Sequence, residues 1–227
     1  MDRLLIHVEG ETEETFVNEV LAPHLYNHGY LKVSARLLGN ARQRARRGGI
    51  RGWNTVRNDI INHLKEDDGC LATTMVDYYA LPQTGEKAWP GREIASNLPY
   101  PQKASTVENA LQFDIQQDGF SNNRFIPFVI MHEFEGLLFS DCTKFAEGIC
   151  RPELTAQFQE IRNAFKTAEE INDSPIKAPS KRVKSLVLGY EKPFLGTLAV
   201  LNIGLATIRS DCPHFSAWLF QLEVAAG

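Results

Sequence analysis

Leu4-Leu5-Ile6-His7-Val8-Glu9-Gly10-Glu11-Thr12-Glu13 opens the chain with an apolar, β-rich run that stops on a carboxylate and a glycine. Behind it, Thr12-Glu13-Glu14-Thr15-Phe16-Val17-Asn18-Glu19-Val20-Leu21 carries apolar residues at 16, 17, 20 and 21, the spacing of one helix face. Thr12 suits a helix cap, and acids early in a helix favour its N-terminal dipole. Pro23 leaves the end of that helix open.

Working outward, the same strand-then-helix unit recurs. A strand fits Val33 to Leu38, helical spacing resumes at Val56, Ile60, Ile61 and Leu64, and Leu71-Ala72-Thr73-Thr74-Met75-Val76 runs into Asp77. Residues 82–101, with prolines at 82, 90, 99 and 101, read as an irregular excursion. A helix over 104–117 then leads to a strand over 125–131. The order β-α-β-α-β-(insert)-α-β predicts an α/β fold, a mostly parallel sheet flanked by helices. From about 140 onward the pattern is helical, over 153–168, 180–189, 195–208 and an amphipathic 214–224. The expected organisation is a catalytic domain over 1–140 with a helical extension over 141–227 packed on it.

Composition excludes several classes. With 227 residues and 43% hydrophobic content the chain can bury a sizeable core, and its mean hydropathy of -0.26 fits no membrane protein. No apolar run approaches the roughly 18 residues that span a bilayer, and Met1-Asp2-Arg3 turns polar too early for a signal peptide. Cys70, Cys142, Cys150 and Cys212 form no CxxC pair, so a reducing cytoplasm is the expected setting. A net charge of -4 argues against a nucleic-acid-coating protein, but a local basic patch can still hold phosphate.

The acids carry the chemistry. Glu9, Asp77 and the pair Glu133 and Glu135 each follow a predicted strand, and Glu13 lies one helical turn beyond Glu9. In parallel α/β sheets, ligands sit outside the carboxyl ends of the strands. Carboxylates gathered there repel unless a cation lies between them, and hard divalent ions prefer oxygen ligands. Glu9, Glu13, Asp77, Glu133 and Glu135 are therefore the candidate ligands for one or two Mg²⁺ or Mn²⁺ ions. Glu133 and Glu135, two apart in extended chain, would point to the same face. Glu11 and Glu14 read as solvated.

Val8-Glu9-Gly10-x-Thr12-Glu13, the strand into Asp77, and Glu133-x-Glu135 resemble the acidic motifs of TOPRIM domains, most nearly those of OLD-family nucleases. Together with His132-to-Phe139, Ala178-Pro179-Ser180-Lys181-Arg182 and Cys212-Pro213-His214-Phe215, they also resemble a small uncharacterised bacterial family often encoded beside an ABC/SMC-type ATPase. The resemblance implies a TOPRIM-like fold and a catalytic role for Glu9, Asp77 and Glu133. It also implies a transition-state lysine, for which Lys181 is the match, and an ATPase partner. The usual second motif is Asp-x-Asp, whereas this chain has Asp77-Tyr78-Tyr79, so position 79 donates no carboxylate.

Arg42, Arg44, Arg46, Arg47 and Arg51 are interleaved with glycines and followed by Trp53. Such a run can grip a nucleic-acid backbone without choosing sequence; Arg182, near the start of a predicted helix, could join it. His132 and His214 read as structural residues. The expected function is a divalent-metal-dependent nuclease acting on DNA or RNA, in a two-component defence or repair system with an ATPase. The alternatives are a non-enzymatic subunit of that ATPase, or a metal-dependent phosphatase acting on small phosphate esters.

Overall fold

The computed structural model describes residues 2–38, 49–121, 123–171 and 176–226. Strand β1 (Arg3–Val8) leads into α1 (Glu11–Phe16), a π-helical turn (Val17–Leu21) and α2 (Ala22–Tyr26). The widened π turn resets the helical ladder, so Pro23 falls in the first turn of α2, where its missing N–H costs nothing. Strand β2 (Lys32–Leu37), α3 (Trp53–Glu66) and β3 (Cys70–Asp77) follow, then α4 (Arg92–Ser96) inside the irregular excursion and α5 (Gln102–Gln116).

The sheet order is β2-β1-β3-β4, and its strands pair in parallel. Side chains alternate across it as the strand period requires. Leu4, Ile6 and Val8 of β1 join Leu71 and Met75 of β3 on the face covered by Phe16, Val17, Leu21 and Leu25. Ala72 and Val76 face the opposite layer, built from Val56, Ile60 and Leu64 of α3 and Val107, Leu111 and Ile115 of α5. Every residue of β3 is buried, so its polar side chains need partners inside. Thr74 Oγ1 bonds the Phe128 carbonyl at 3.0 Å, and Thr73 Oγ1 accepts from Trp218 Nε1 at 2.9 Å.

The strand expected over 125–131 is two short pieces, β4 (Phe125–Ile126) and β5 (Val129–Ile130). Pro127 separates them because it offers no ladder N–H. Side chains serve the amides that follow: Phe128 N donates to Thr74 Oγ1 at 3.0 Å and Val129 N to Glu108 Oε1 at 2.8 Å.

The C-terminal portion comprises α6 (Glu135–Leu138), α7 (Cys142–Gly148), α8 (Thr155–Asn163), α9 (Pro179–Leu186), a π turn (Lys192–Gly196), α10 (Thr197–Ile203), α11 (Leu205–Asp211) and α12 (Pro213–Ala225). The helix expected over 195–208 is broken at Gly204, whose φ of 82° lies in the region glycine favours, and the chain bends by 85° there. Val183, Val200, Ile208, Phe215, Trp218 and Leu222 share one apolar core with Leu4, Ile6 and Phe16 of the first unit. No single helix among the described residues is long and apolar enough to cross a membrane.

Candidate active site

The chain leaves β1 toward β2 on one side and returns to β3 on the other, so the crevice at the carboxyl ends of β1 and β3 is a topological switch point. Val8 pairs with Met75 in register, which sets Glu9 beside the end of β3, and the Asp77 backbone N–H reaches the Glu9 carboxylate. Glu13, in the first turns of α1, is 1% exposed. A Cβ at Gly10 would come within 3.2 Å of Glu13 Oε2, so glycine gives the carboxylate room to fold back over the turn. Glu135, the first residue of α6, is also 1% exposed and Asp77 is 6% exposed.

These acids converge on a residue the sequence did not single out. Lys192 Nζ lies 3.0 Å from Glu13 Oε1, 3.0 Å from Asp77 Oδ2 and 3.5 Å from Glu135 Oε2. Its contact with Asp77 is a hydrogen bond, whereas Glu13 Oε1 and Glu135 Oε2 meet it by charge alone and stay without a hydrogen-bond partner. Glu9 Oε2 is likewise buried and unpartnered. Phe134 N completes Asp77, donating to Oδ1 at 2.8 Å. The Tyr190 hydroxyl is buried without a partner, 3.0 Å from where a Cβ on Gly196 would stand.

One ammonium shared by several acids leaves an excess of negative charge, and protonation responds. Burial pushes Glu9 up to about 7; Lys192 draws it down, and Glu13 and Glu135 push it up again. Burial likewise raises Asp77 and Glu135 although Lys192 opposes it. Burial works against the Lys192 charge, but Asp77, Glu13, Glu135 and Glu9 outweigh it and hold the ammonium well above the usual lysine range. An isolated exposed pair would lower its acid; here burial, with the neighbouring carboxylates adding to it, outweighs the one cation.

The other expected residues are distributed around this centre. Glu133 and Glu135 do not share a face of an extended strand, because Phe134 is helical (φ -51°, ψ -38°) and α6 begins at Glu135. Glu133 Oε2 instead accepts the Ser180 amide at 2.9 Å, at the N-terminus of α9. Lys181, the next residue, is exposed. Arg182 donates from Nε to the Lys177 carbonyl at 2.8 Å and lies 5.5 Å over the Phe165 ring. Arg42, Arg44, Arg46 and Arg47 lie outside the described residues, but both flanks of their run are anchored at the site. Leu38 N donates to the Val8 carbonyl at 3.0 Å and Gly49 N to the Glu9 carbonyl at 2.9 Å. Arg51 is half-buried, and Trp53 is a core residue bonded to Asp114 at 2.8 Å. Glu11 and Glu14, expected in solvent, are half-buried. Tyr79 stacks on the buried His132, and His214 Nε2 bonds Glu108 Oε1 at 2.8 Å while stacking on Phe128.

The donor set is all oxygen, the chemistry of Mg²⁺ and Mn²⁺ rather than of softer metals. Three buried carboxylate oxygens lack a hydrogen bond (Glu9 Oε2, Glu13 Oε1 and Glu135 Oε2), the latter two already ion-paired to Lys192, and by charge they suit a further cation. Among the described residues no three of these acid oxygens lie within 4.8 Å of one another, so the spacing seen is the one set by the Lys192 ammonium.

A family model for a domain of unknown function, DUF4276, matches residues 8–223. The chain belongs to this family. The matched span contains every acid of the centre together with Lys192, so the whole constellation lies within the family's domain. No curated protein and no solved structure matches the chain.

Proposed function

We propose that the protein is a divalent-metal-dependent nuclease, a TOPRIM-like phosphodiesterase whose centre is the carboxylate cluster at the β1/β3 switch point. The observation that carries this reading is the surplus of buried carboxylate around one ammonium, with three oxygens lacking a hydrogen bond. A structural ion pair would be balanced; this one has capacity left for a cation that binds phosphate. Bound there, Mg²⁺ or Mn²⁺ supplies Lewis-acid stabilisation of charge on the phosphoryl oxygens.

The chain's own residues divide the remaining work. Glu9, held near neutrality, can take up or release a proton at physiological pH. Asp77 is held in place by the Phe134 amide. Lys192 keeps its charge throughout and, moving from the acids toward a phosphate, would stabilise the negative charge that develops in the transition state. Among lysines, it has the better claim to that role than Lys181, which points to solvent. The arginine run, whose described flanks Leu38 and Gly49 bond the Val8 and Glu9 carbonyls, suits a nucleic-acid backbone by its charge. The setting is the cytoplasm, with an ABC/SMC-type ATPase as partner.

The test is cleavage of supercoiled DNA, linear DNA and RNA with Mg²⁺ or Mn²⁺, with and without the ATPase. Glu9→Gln and Asp77→Asn should each lower cleavage by about 10²–10⁴-fold while leaving the protein folded. Small phosphate esters hydrolysed in place of nucleic acid would turn the assignment to a phosphatase. No hydrolysis by any form would leave the acids as a structural network in a non-enzymatic subunit, a reading that the Lys192 contacts favour on their own.

A further inference from the structure

A second group of ligating side chains, separate from the acidic centre, joins the end of the first helical unit to the last helix. His24 lies in α2 and His28 in the turn that closes it, so their side chains come from neighbouring levels of one helical stretch. Both approach the same atom: His24 Nε2 is 2.6 Å and His28 Nε2 3.7 Å from Glu223 Oε1, and the imidazole centroids are 4.6 Å apart. The three ligand atoms all lie within 4.8 Å of one another, and among the described residues no other group of three does so.

We propose that His24, His28 and Glu223 form a transition-metal site, of the kind that takes Zn²⁺, clamping α2 to α12. Bonds of about 2.0–2.2 Å to a tetrahedral zinc set its ligand atoms roughly 3.4 Å apart, and the observed 2.6 and 3.7 Å bracket that spacing. A hydrogen bond accounts for the His24 distance; His28 Nε2, beyond hydrogen-bond reach, meets the same oxygen as an ion pair. Two imidazoles and a carboxylate select zinc, nickel or copper over magnesium, so this site and the all-oxygen centre take different metals. The half-exposed setting leaves the fourth position to water.

Arg209 orients the carboxylate. Its guanidinium reaches both Glu223 oxygens, with Nη2 2.8 Å from Oε2. A metal on Oε1 would displace Arg209 Nη1 from it while Nη2 keeps Oε2, the kind of supporting contact that fixes a ligand's rotamer. His24 and Glu223 are 199 positions apart, and the neighbouring Tyr30 hydroxyl already bonds the Leu222 carbonyl at 2.8 Å. A metal bridging such distant segments would stabilise the native chain, because the unfolded one cannot bring the three ligands together cheaply.

The inference stands independently of the nuclease reading. It is tested on tag-free protein stripped with a chelator and then titrated with ZnCl₂ or CoCl₂. Wild type should bind one equivalent, gain thermal stability and show the intense visible absorption of four-coordinate Co²⁺. His28→Gln, at an exposed position where folding is not at stake, should weaken binding about tenfold or more and remove that absorption; Asp77→Asn should retain both. Absence of saturable binding to wild type would overturn the proposal, as would unchanged affinity in His28→Gln. So would loss of the equivalent in Asp77→Asn, which would assign the ion to the acidic centre.

Discussion

Glu169 and the acids around Lys192 are both buried carboxylates, and they are bonded in opposite ways. Glu169 is 1% exposed, yet its oxygens accept the His214 and Phe215 amides at 2.8 Å each and the Tyr100 hydroxyl at 3.3 Å. Those amides open α12, so the charge meets the positive end of a thirteen-residue helix. At the carboxyl edge of the sheet, Glu9, Glu13 and Glu135 each leave an oxygen without a hydrogen bond and share one ammonium with Asp77. A buried charge with a full set of partners closes a structure. A buried cluster short of partners holds capacity for something else.

Removing the shared cation should separate the two regions most clearly. Lys192→Met leaves the acids facing one another, and metal-free protein at pH 8 should lose about 3–5 kcal/mol in urea unfolding. Adding Asp77→Asn should recover part of that loss, because the penalty is mutual repulsion. A neutral Lys192→Met would place the cluster in the same class as Glu169.

The next effect is the pH dependence of metal-free stability. Glu9 is raised in the folded protein from 4.5 to about 7, so between those values the native state holds a proton that the unfolded state releases. Stability therefore falls as pH rises through that window, by about 3 kcal/mol from Glu9 alone, and the raised Asp77 and Glu135 act in the same direction. Thermal melts from pH 5 to 8 should show the decline, and Mg²⁺ or Mn²⁺ should reverse it. A curve that is flat, or that metal does not alter, would contradict the surplus charge.

Glu169→Ala tests the closed region. It strips the N-terminal amides of α12 of their acceptor and should cost about 2 kcal/mol, with the metal response of the remaining protein unchanged. Smallest of all, Tyr190→Phe removes a buried hydroxyl that has no partner. It should leave stability unchanged or raise it by up to about 1 kcal/mol; a clear loss in denaturant titration would show that the hydroxyl is bonded after all.

Much of this was readable from local pattern. Alternation in Leu4-Leu5-Ile6-His7-Val8 and the apolar run into Asp77 gave the two central strands, and a parallel sheet then places their following residues at one edge. Glu9 and Asp77 were thus locatable together. The pairing of Glu133 with Glu135 was misread because an apolar run was extended through Pro127 and on past Met131. The proline interrupts the ladder, which resumes only over Val129–Ile130, and the backbone turns helical at Phe134. Lys192 gave no local sign. Glu191-Lys192-Pro193 reads as a polar turn before a helix, and the nearest acid it meets by sequence, Glu135, is 57 positions away.

From residue order alone came the α/β class, the acids at strand ends and the existence of an arginine run, because strand and helix periods and turn residues act over a few positions. Which acids meet, that they meet on a lysine, and that Glu133 is held aside by the α9 amide were settled by the packing of the C-terminal helices against the sheet. Charge balance in a buried site depends on distances in space, and the chain sets those only once its distant segments share a core.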